Sequence, residues 1–392
     1  MPIASKRGGV DERASLFPPE ILPLIHDSFV RSCDLFEEYV FRLALDVFRR
    51  LGLAAACAKP ATTAQAIARA ELDPRQATVP LDWILRKLVR HGVLEADPDA
   101  GEARYRLSGE LPKLDAESVR LAQERHDPRA LPSYTIAALA GEHYSAVLRG
   151  ETTGERVLFG ADRMAVWEEY FANDNVIYAL NNSIGAIACE AAFPPGHGAI
   201  LELGGGLGSG TWALLDRFAL KGRSAPTYRF TELSVPFSRR AQRALCARFP
   251  EVALSFARLD MNRPFAEAGV APGSYALVHA VNAVHVARDL AFTLGEIREA
   301  LREGGTLVVA ECVRPLPGDP VHAEFVFNLL EAFREPVLVP GWRPNGGFLT
   351  PEQWTLALEA NGFADVRSFP DIAAIRDAYP AFVVAAIVAV RA

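Results

Sequence analysis

The chain has 392 residues, with 48 acidic and 41 basic side chains and a net charge of −7 at pH 7. Hydrophobic residues make up 50% of it and charged residues 23%, a balance that argues against wholesale disorder and allows two or three domains. Because the acidic balance gives no global attraction for nucleic acid or for an anionic membrane, we expect a cytoplasmic protein that binds neither.

The cysteines and the apolar segments exclude further classes. Five cysteines are scattered without CxxC spacing, and no histidines show the spacing of a dedicated metal site, so we expect reduced thiols and no metal. The first ten residues lack the apolar segment of a signal peptide. The longest apolar run, residues 381–390, is about half the length of a membrane span, and we expect it to be a buried strand.

The N-terminal part predicts helices followed by a hairpin. Residues 1–20 are polar and contain prolines, and we expect a flexible arm there. Three helical patterns and two strand patterns follow, at residues 21–51, 62–70, 81–89, 92–95 and 105–107. The turn between the two strands falls at residues 97–101. This order of elements over residues 21–111 is the arrangement of a winged-helix domain.

Residues 112–190 are predicted to be mostly helical and include an aromatic-rich stretch. We expect them to form a helical linker that also lines an apolar substrate pocket with a few polar groups. The candidate pocket residues are Trp167, Tyr170, Phe171, Asn175, Tyr178, Phe325 and Asn328. The alternative for each aromatic side chain is a place in a helical core.

Residues 191–392 are predicted to form an α/β domain. Strand patterns alternate with helical ones and lie at residues 199–203, 228–231, 253–257, 275–280, 306–310, 366–368 and 381–390. Such alternation predicts a mostly parallel sheet with helices on both faces. In sheets of this kind the ligand binds beyond the carboxyl ends of the strands.

The most informative motif is the glycine-rich segment Glu202-Leu-Gly-Gly-Gly-Leu-Gly-Ser-Gly210, which follows the first of these strands. Glycine permits positive φ and lets a ligand approach the main chain. The dinucleotide fingerprint G-x-G-x-x-G/A fits only from Gly208, which is late relative to the strand. The spacing Glu202-x-Gly204-x-Gly206-x-Gly208 resembles the first motif of class I S-adenosylmethionine-dependent methyltransferases.

This resemblance implies a Rossmann-like seven-stranded sheet, S-adenosylmethionine as cofactor and S-adenosylhomocysteine as its product. Glu232 ends the second strand, where an acid can accept hydrogen bonds from ribose hydroxyls. Asp260 and Met261 follow the third strand, where the family places an acid and an apolar side chain against adenine. The cofactor-binding residues implied are Glu202, Gly204, Gly205, Gly206, Gly208, Glu232, Leu233, Asp260, Met261 and Asn282.

After the fourth strand the chain resembles small-molecule O-methyltransferases with an N-terminal winged-helix dimerisation domain. His285 falls on their general base, and Glu311, at the end of the fifth strand, falls on the acid that orients it. Two departures stand out. The family's His-Asp-Trp is His285-Val-Ala287 here, and its second orienting acid is absent near Gly346-Gly347. These departures leave open a carbon or nitrogen acceptor.

The resemblance implies a homodimeric methyltransferase that acts on a hydroxyl of an aromatic or polyketide-like small molecule in secondary metabolism. One alternative is a C-methyltransferase, and another is an enzyme that uses this fold for non-methylating chemistry. A third is a metabolite-sensing regulator whose winged helix binds DNA. The last helix of that domain carries only three basic side chains, Arg86, Lys87 and Arg90, so we favour dimerisation over DNA binding.

Overall fold

The computed structural model describes residues 10–97, 102–194, 198–223 and 227–392. These residues form two compact units. The helical unit consists of Asp27–Tyr170 and Gly318–Arg334, and the sheet unit consists of residues 10–26, Phe171–Pro317 and Glu335–Ala392. This grouping differs from the expected domain boundaries at residues 111 and 190. The helix Val176–Ala192, most of which was expected in the linker, packs on the sheet, and the late segment Gly318–Arg334 belongs to the helical unit.

The helical unit is built around one long amphipathic helix, α2 (Asp27–Arg50). Its buried side chains recur at three- and four-residue spacings, which gives a continuous apolar face for its neighbours. The other helices are α3 (Leu53–Ala56), α4 (Thr63–Arg69), α5 (Pro74–Arg90), α6 (Glu117–His126), α7 (Leu131–Leu148), α8 (Gly154–Leu158), α9 (Met164–Phe171), α14 (Glu324–Phe327) and α15 (Glu331–Arg334).

Local sequence signals define the early elements of this unit. Helix α4 begins with a capping box between Thr62 and Gln65, and α5 begins with Asp73 as its cap. Strands β1 (Leu94–Asp97) and β2 (Arg104–Leu107) pair antiparallel, which confirms the predicted hairpin. Residues 98–101, in its turn, lie outside the described residues. A winged-helix domain that mediates dimerisation stays a prediction.

The sheet unit contains a seven-stranded sheet in the order β5-β4-β3-β6-β7-β9-β8. The strands are β3 (Ala199–Leu203), β4 (Thr227–Thr231), β5 (Leu254–Ala257), β6 (Tyr275–Val281), β7 (Leu301–Cys312), β8 (Phe363–Phe369) and β9 (Val384–Arg391). Strand β9 runs antiparallel to β7 and β8, whereas β5, β4, β3, β6 and β7 pair in parallel. The predicted seven-stranded α/β fold is confirmed.

Several helices of this unit pack against the strands of the sheet. The unit contains α1 (Val10–Leu16), α10 (Val176–Ala192), α11 (Ser209–Leu220), α12 (Val235–Arg248), α13 (Leu290–Ala300), α16 (Pro351–Ala360) and α17 (Ile372–Ile375). Helix α10 lies so close to β7 that a Cβ on Gly185 would stand 2.9 Å from the Cβ of Ala310. This close packing explains why α10 belongs to the sheet unit and not to a separate linker.

The prediction of a flexible arm over residues 1–20 is wrong for its second half. Helix α1 occupies Val10–Leu16, and the ring of Phe17 is buried against Tyr379 and Phe382, with centroids 5.3 and 5.2 Å away. Burial of these aromatic surfaces offsets the entropy of ordering the segment. In the described ranges no helix combines the length and apolarity needed to cross a membrane.

Candidate active site

The glycine-rich loop joins β3 to α11 at the carboxyl edge of the sheet. Gly204, Gly206 and Gly208 have φ values of +61°, +56° and +88°, a conformation that favours glycine over residues with a Cβ. Helix α11 begins at Ser209, directly after the loop, so the positive end of its dipole faces the same edge. The loop can therefore present backbone N–H groups to a polar ligand.

One side of this loop is packed tightly and the other is open. A Cβ on Gly204 would lie 2.7 Å from the Cβ of Ala283, and one on Gly205 would lie 2.2 Å from a ring carbon of Phe230. A Cβ on Gly206 would meet nothing within 4 Å. The loop is thus held against β4 and the turn after β6, while Gly206 borders space in which a ligand can lie against the main chain.

Glu232 stands beside the open side of the loop. Its carboxylate accepts hydrogen bonds from the backbone N–H groups of Gly206 at 2.9 Å and Ser234 at 2.7 Å. Burial raises the pKa of this carboxyl, and the two N–H groups act in the opposite direction. The next side chain, Leu233, is 47% exposed. An acid and an apolar side chain together could hold the ribose and the base of a nucleoside.

Met261 lies on the other flank of the loop. Its methyl carbon is 3.8 Å from the position that a Cβ of Gly204 would take. Asp260 is half-buried, and its Oδ1 accepts hydrogen bonds from the backbone and side-chain nitrogens of Asn262 at 3.0 and 3.2 Å. These contacts place Met261 beside the glycine loop and fix the orientation of the Asp260 carboxylate.

Glu202 lies beneath the loop in a buried polar network. Its carboxylate accepts hydrogen bonds from the hydroxyls of Thr211 and, at 2.8 Å, of Tyr228, whose oxygen is also 2.6 Å from Nε2 of His279. Burial raises the pKa of Glu202 to about 7 and lowers that of His279 to about 3. Glu202 is therefore engaged with protein groups that support the loop.

His285 and Glu311 form a hydrogen-bonded pair at the same edge of the sheet. Nδ1 of His285 lies 2.6 Å from Oε2 of Glu311, and the two side chains are 4% and 0% exposed. Oε1 of Glu311 also accepts hydrogen bonds from the N–H groups of Val284 at 3.0 Å and His285 at 3.4 Å. A buried carboxylate with these partners fixes the ring orientation of His285 and stabilises its imidazolium form.

Asn282 links the two strands that carry this pair. It has a positive φ of +48°, its N–H donates to the carbonyl of Ala310, and its Oδ1 accepts from the N–H of Cys312 at 2.7 Å. Its amide also bonds the Tyr178 hydroxyl. These protein partners brace β6 against β7, and the expected cofactor-binding role of Asn282 stays a prediction.

The expected pocket residues divide between the two units. In the sheet unit, Phe171 packs edge-on against Tyr178 and Phe237, with ring centroids 5.0 and 6.2 Å apart, and Asn175 is buried. The Tyr178 hydroxyl belongs to the network of Asn282, close to the His285–Glu311 pair. Phe171 and Tyr178 therefore stay candidates for a pocket wall.

The other expected pocket residues lie in the helical unit. Phe325 is 0% exposed and stacks on Tyr144 at 4.7 Å, so it belongs to the core of that unit. Trp167 is likewise buried, and its indole N–H donates to the carbonyl of Leu158. For these two the core alternative is right, because neither ring presents appreciable surface to solvent. Tyr170 packs on Phe327, and Asn328 is buried.

Two residues that sequence reasoning missed contact His285. The guanidinium of Arg343 donates to the carbonyl of His285 at 2.8 Å, and the ring of Phe348 lies 4.5 Å from the imidazole centroid. Neither carried a sequence signal, since an arginine or a phenylalanine in a loop is ordinary. No group of three or more His, Cys, Asp or Glu side chains suited to a metal ion occurs in the described part of the chain.

Comparison with known proteins agrees with this geometry. Residues 201–307 match a family model described as a methyltransferase domain. The polyketide synthase ThaG of Burkholderia thailandensis is 27% identical over 310 residues, which is 76% of this chain but 5% of ThaG. The chain spans between 5% and 12% of the length of the curated relatives it matches.

Two solved structures share the fold over almost the whole chain. The CurJ carbon methyltransferase superposes with a TM-score of 0.75 at 21% identity, covering 98% of this chain and 96% of CurJ. The DszA carbon methyltransferase gives a TM-score of 0.73 at 21% identity, covering 100% of this chain and 96% of DszA. The matched residues 201–307, the glycine loop and the shared fold agree with one another: this part of the chain is similar to a methyltransferase domain and lies on a sheet of the same fold as these two structures.

Proposed function

We propose that this protein methylates the α-carbon of a β-ketoacyl thioester, the type of intermediate from which polyketides are made. The observation that carries the proposal is the position of the His285–Glu311 pair beside the glycine loop. Ala283, two residues before His285, is the side chain against which Gly204 is packed. A buried base therefore adjoins the loop that has the geometry of a cofactor site.

The residues around the glycine-rich loop fit S-adenosylmethionine, which supplies an electrophilic methyl group on a sulfonium sulfur. The backbone of Gly206 borders open space, and the half-buried carboxylate of Glu232 lies next to it. Apolar surface is provided by Leu233, which follows Glu232 in the chain, and by Met261, which lies beside the glycine loop. In this proposal Glu232 binds the ribose hydroxyls, and Leu233, Asp260 and Met261 surround the adenine.

His285 takes the proton in this mechanism. Since its Nδ1–H donates to Glu311, the neutral ring keeps its lone pair on Nε2, and Nε2 accepts a proton from the substrate. The α C–H bond would break with its proton moving to Nε2, and the electron pair of that carbon would form the new C–CH3 bond. The sulfonium S–CH3 bond of the bound S-adenosylmethionine would break in the same step, leaving its electron pair on sulfur and releasing S-adenosylhomocysteine. Glu311 stabilises the imidazolium that results.

The choice of carbon over oxygen departs from the acceptor expected from the sequence. It is supported by the names of the two structural relatives, both carbon methyltransferases, and by the polyketide synthases among the sequence relatives. In the region where the O-methyltransferase resemblance implies a second orienting acid, the side chain that contacts the His285 ring is the apolar ring of Phe348. A carbon flanked by two carbonyl groups is acidic enough to be deprotonated by a histidine with one carboxylate partner.

Proton exchange at the α-carbon tests the proposal without methyl transfer. Acetoacetyl-N-acetylcysteamine is incubated in D2O with protein and S-adenosylhomocysteine, and loss of the α-proton signal is followed by NMR. The wild type should accelerate exchange, His285→Gln should not, and the exposed control His126→Gln should match the wild type. Equal rates with and without wild-type protein would contradict the proposal. A homodimer through residues 21–111 stays a prediction that light scattering can test.

A further inference from the structure

The base His285 is carried by a very short turn whose two ends are held by different side chains. The turn is a 3₁₀ helix of three residues, Val284–Val286, directly after Asn282 and Ala283. Glu311 binds the N–H groups at its start. So short a helix cannot satisfy the carbonyl groups at its end, which need donors from elsewhere in the fold.

Arg343 supplies those donors. Its Nη2 donates to the carbonyl of His285 at 2.8 Å, and its Nη1 donates to the carbonyls of Ala287 at 2.7 Å and Arg288 at 3.3 Å. Arg343 is 0% exposed. A guanidinium is planar and presents several N–H groups in a fixed fork, so it can hold neighbouring carbonyls in one arrangement, which a lysine cannot.

The loop that carries Arg343 is itself fixed. Arg343 and Val339 form an antiparallel bridge in which each N–H donates to the other's carbonyl, at 2.7 and 3.0 Å. The N–H of Val337 donates to the carbonyl of Arg288 at 2.7 Å, which ties the start of this loop to the end of the His285 segment. The guanidinium therefore projects from a constrained backbone.

The same loop also touches the imidazole. The ring of Phe348 lies 4.5 Å from that of His285 at an interplanar angle of 43°. Arg314 donates to the carbonyl of Gly346 at 2.8 Å, which fixes the backbone before Phe348. One loop thus contacts both the main chain and the ring of the base, in the region where the O-methyltransferase resemblance implies a second orienting acid.

We infer that Arg343 is a positioning residue for the base, because it fixes the backbone from which the His285 imidazole projects. This inference rests on the proposed function. Arg343 hydrogen-bonds to carbonyl groups, and no carboxylate within 4.0 Å pairs with it among the described residues, so this buried cation is used to order one turn. Burial lowers the pKa of Arg343 to about 10, and the guanidinium stays charged at neutral pH.

Three variants of Arg343 test this role in the α-proton exchange assay with acetoacetyl-N-acetylcysteamine. Arg343→Met should lower kcat for exchange by about 10²-fold with little change in KM, since a misplaced base affects the reaction more than binding. Arg343→Lys should retain intermediate activity. Added guanidinium ion should restore exchange to Arg343→Ala, because it can occupy the vacated space and donate to the same carbonyls.

The control is Arg229→Met. Arg229 also gives its guanidinium to backbone carbonyls, those of Ala268 and Gly269, but away from the His285 turn. It should keep the wild-type kcat and show no rescue by guanidinium. Calorimetric titration with S-adenosylhomocysteine should give similar affinities for all variants. The inference about Arg343 would be overturned, with the proposed function left standing, by either of two results. One is a wild-type kcat in Arg343→Met or Arg343→Lys, and the other is no response of Arg343→Ala to guanidinium. Absence of exchange in the wild type would overturn the proposed function as well.

Discussion

Nδ1 of His285 lies 2.6 Å from Oε2 of Glu311, and the two residues lie at the carboxyl ends of neighbouring parallel strands. Strand β6 leads into the turn with His285, whereas Glu311 belongs to the last residues of β7. Parallel pairing brings their carboxyl ends to the same edge, where the glycine loop after β3 also lies. The order of strands in the sheet thus brings a histidine, its carboxylate partner and the glycine loop together from segments far apart in the chain.

The His285–Glu311 pair should control chemistry and not cofactor binding. We expect His285→Gln and Glu311→Gln each to lower methyl-transfer kcat by about 10²–10⁴-fold, because the base or its orientation and counter-charge is lost. The affinity for S-adenosylhomocysteine, measured by calorimetry, should remain near that of the wild type. The exposed Glu299→Gln serves as the control. A Glu311→Gln enzyme with wild-type kcat would rule out the orienting role.

Glu232 should control cofactor affinity. Replacing it with glutamine removes a half-buried negative charge that can accept hydrogen bonds from hydroxyl groups, and charged hydrogen bonds contribute about 1.5–3 kcal/mol. Glu232→Gln should therefore weaken S-adenosylhomocysteine binding by about 10- to 100-fold in a calorimetric titration. Glu267→Gln, which removes an exposed partner of Arg263, should bind like the wild type. Unchanged affinity in Glu232→Gln would contradict the ribose contact.

Two adjacent glycines should give opposite phenotypes. Gly205→Ala would drive a methyl group into the ring of Phe230, and overpacking of this kind costs about 1–3 kcal/mol of stability. Gly206→Ala meets only open space, so its stability cost is limited to about 1–2 kcal/mol for a positive φ.

Urea denaturation and calorimetry separate the two glycine effects. For each variant we compare the loss of affinity for S-adenosylhomocysteine with the loss of stability. The ratio of the two should be larger for Gly206→Ala than for Gly205→Ala, because the methyl group added at position 206 would enter the open side of the loop, where we expect the ligand. If the larger loss of affinity belonged to Gly205→Ala, the open side of the loop would not be the ligand side.

Glu202 should make stability depend on pH. Burial raises its pKa from 4.5 to about 7 in the folded protein, so between these values the folded state holds a proton that the unfolded state has lost. This contribution is fully present below about pH 4.5 and is lost as pH rises through 7. Glutamine does not titrate, so Glu202→Gln lacks this pH dependence. The free energy of unfolding of the variant minus that of the wild type should therefore increase by up to about 3 kcal/mol between pH 4.5 and pH 8.

Urea titrations at several pH values measure this difference directly. The Glu267→Gln variant provides the baseline, because that carboxylate is exposed and paired at the surface. A difference that stays flat from pH 4.5 to 8 would show that Glu202 has an ordinary pKa and that its network with Thr211 and Tyr228 keeps the carboxylate ionised.

The sheet could be predicted because its signals are local. Short apolar runs bounded by turns mark β3 to β9, and the spacing of Gly204, Gly206 and Gly208 marks the loop that adopts positive φ. The pairing of His285 with Glu311 was implied by the O-methyltransferase resemblance, and each residue lies shortly after a predicted strand. Helix α1 was missed since its stability depends on Phe17 packing against residues more than 350 positions later.

The contacts that Arg343 makes with the His285 turn could not be predicted from the sequence. Arg343 binds carbonyl groups of residues 55 to 58 positions earlier, and carbonyl acceptors carry no residue-type signature. The division of the aromatic residues was also hidden, because Phe325 returns to the helical unit through Gly318–Arg334 after the chain has entered the sheet. Aromatic composition alone does not distinguish a pocket wall from a core.

The identity of the acceptor atom is the most direct test of the proposed function. Wild-type protein is incubated with acetoacetyl-N-acetylcysteamine and S-adenosylmethionine carrying a 13C-labelled methyl group, and the product is examined by NMR. We predict a labelled methyl carbon coupled to the α-carbon proton, which shows a C–CH3 bond, and a rate of product formation with His285→Gln that is lower by about 10²-fold or more. A labelled methoxy group, or methylation that His285→Gln leaves unchanged, would contradict the account.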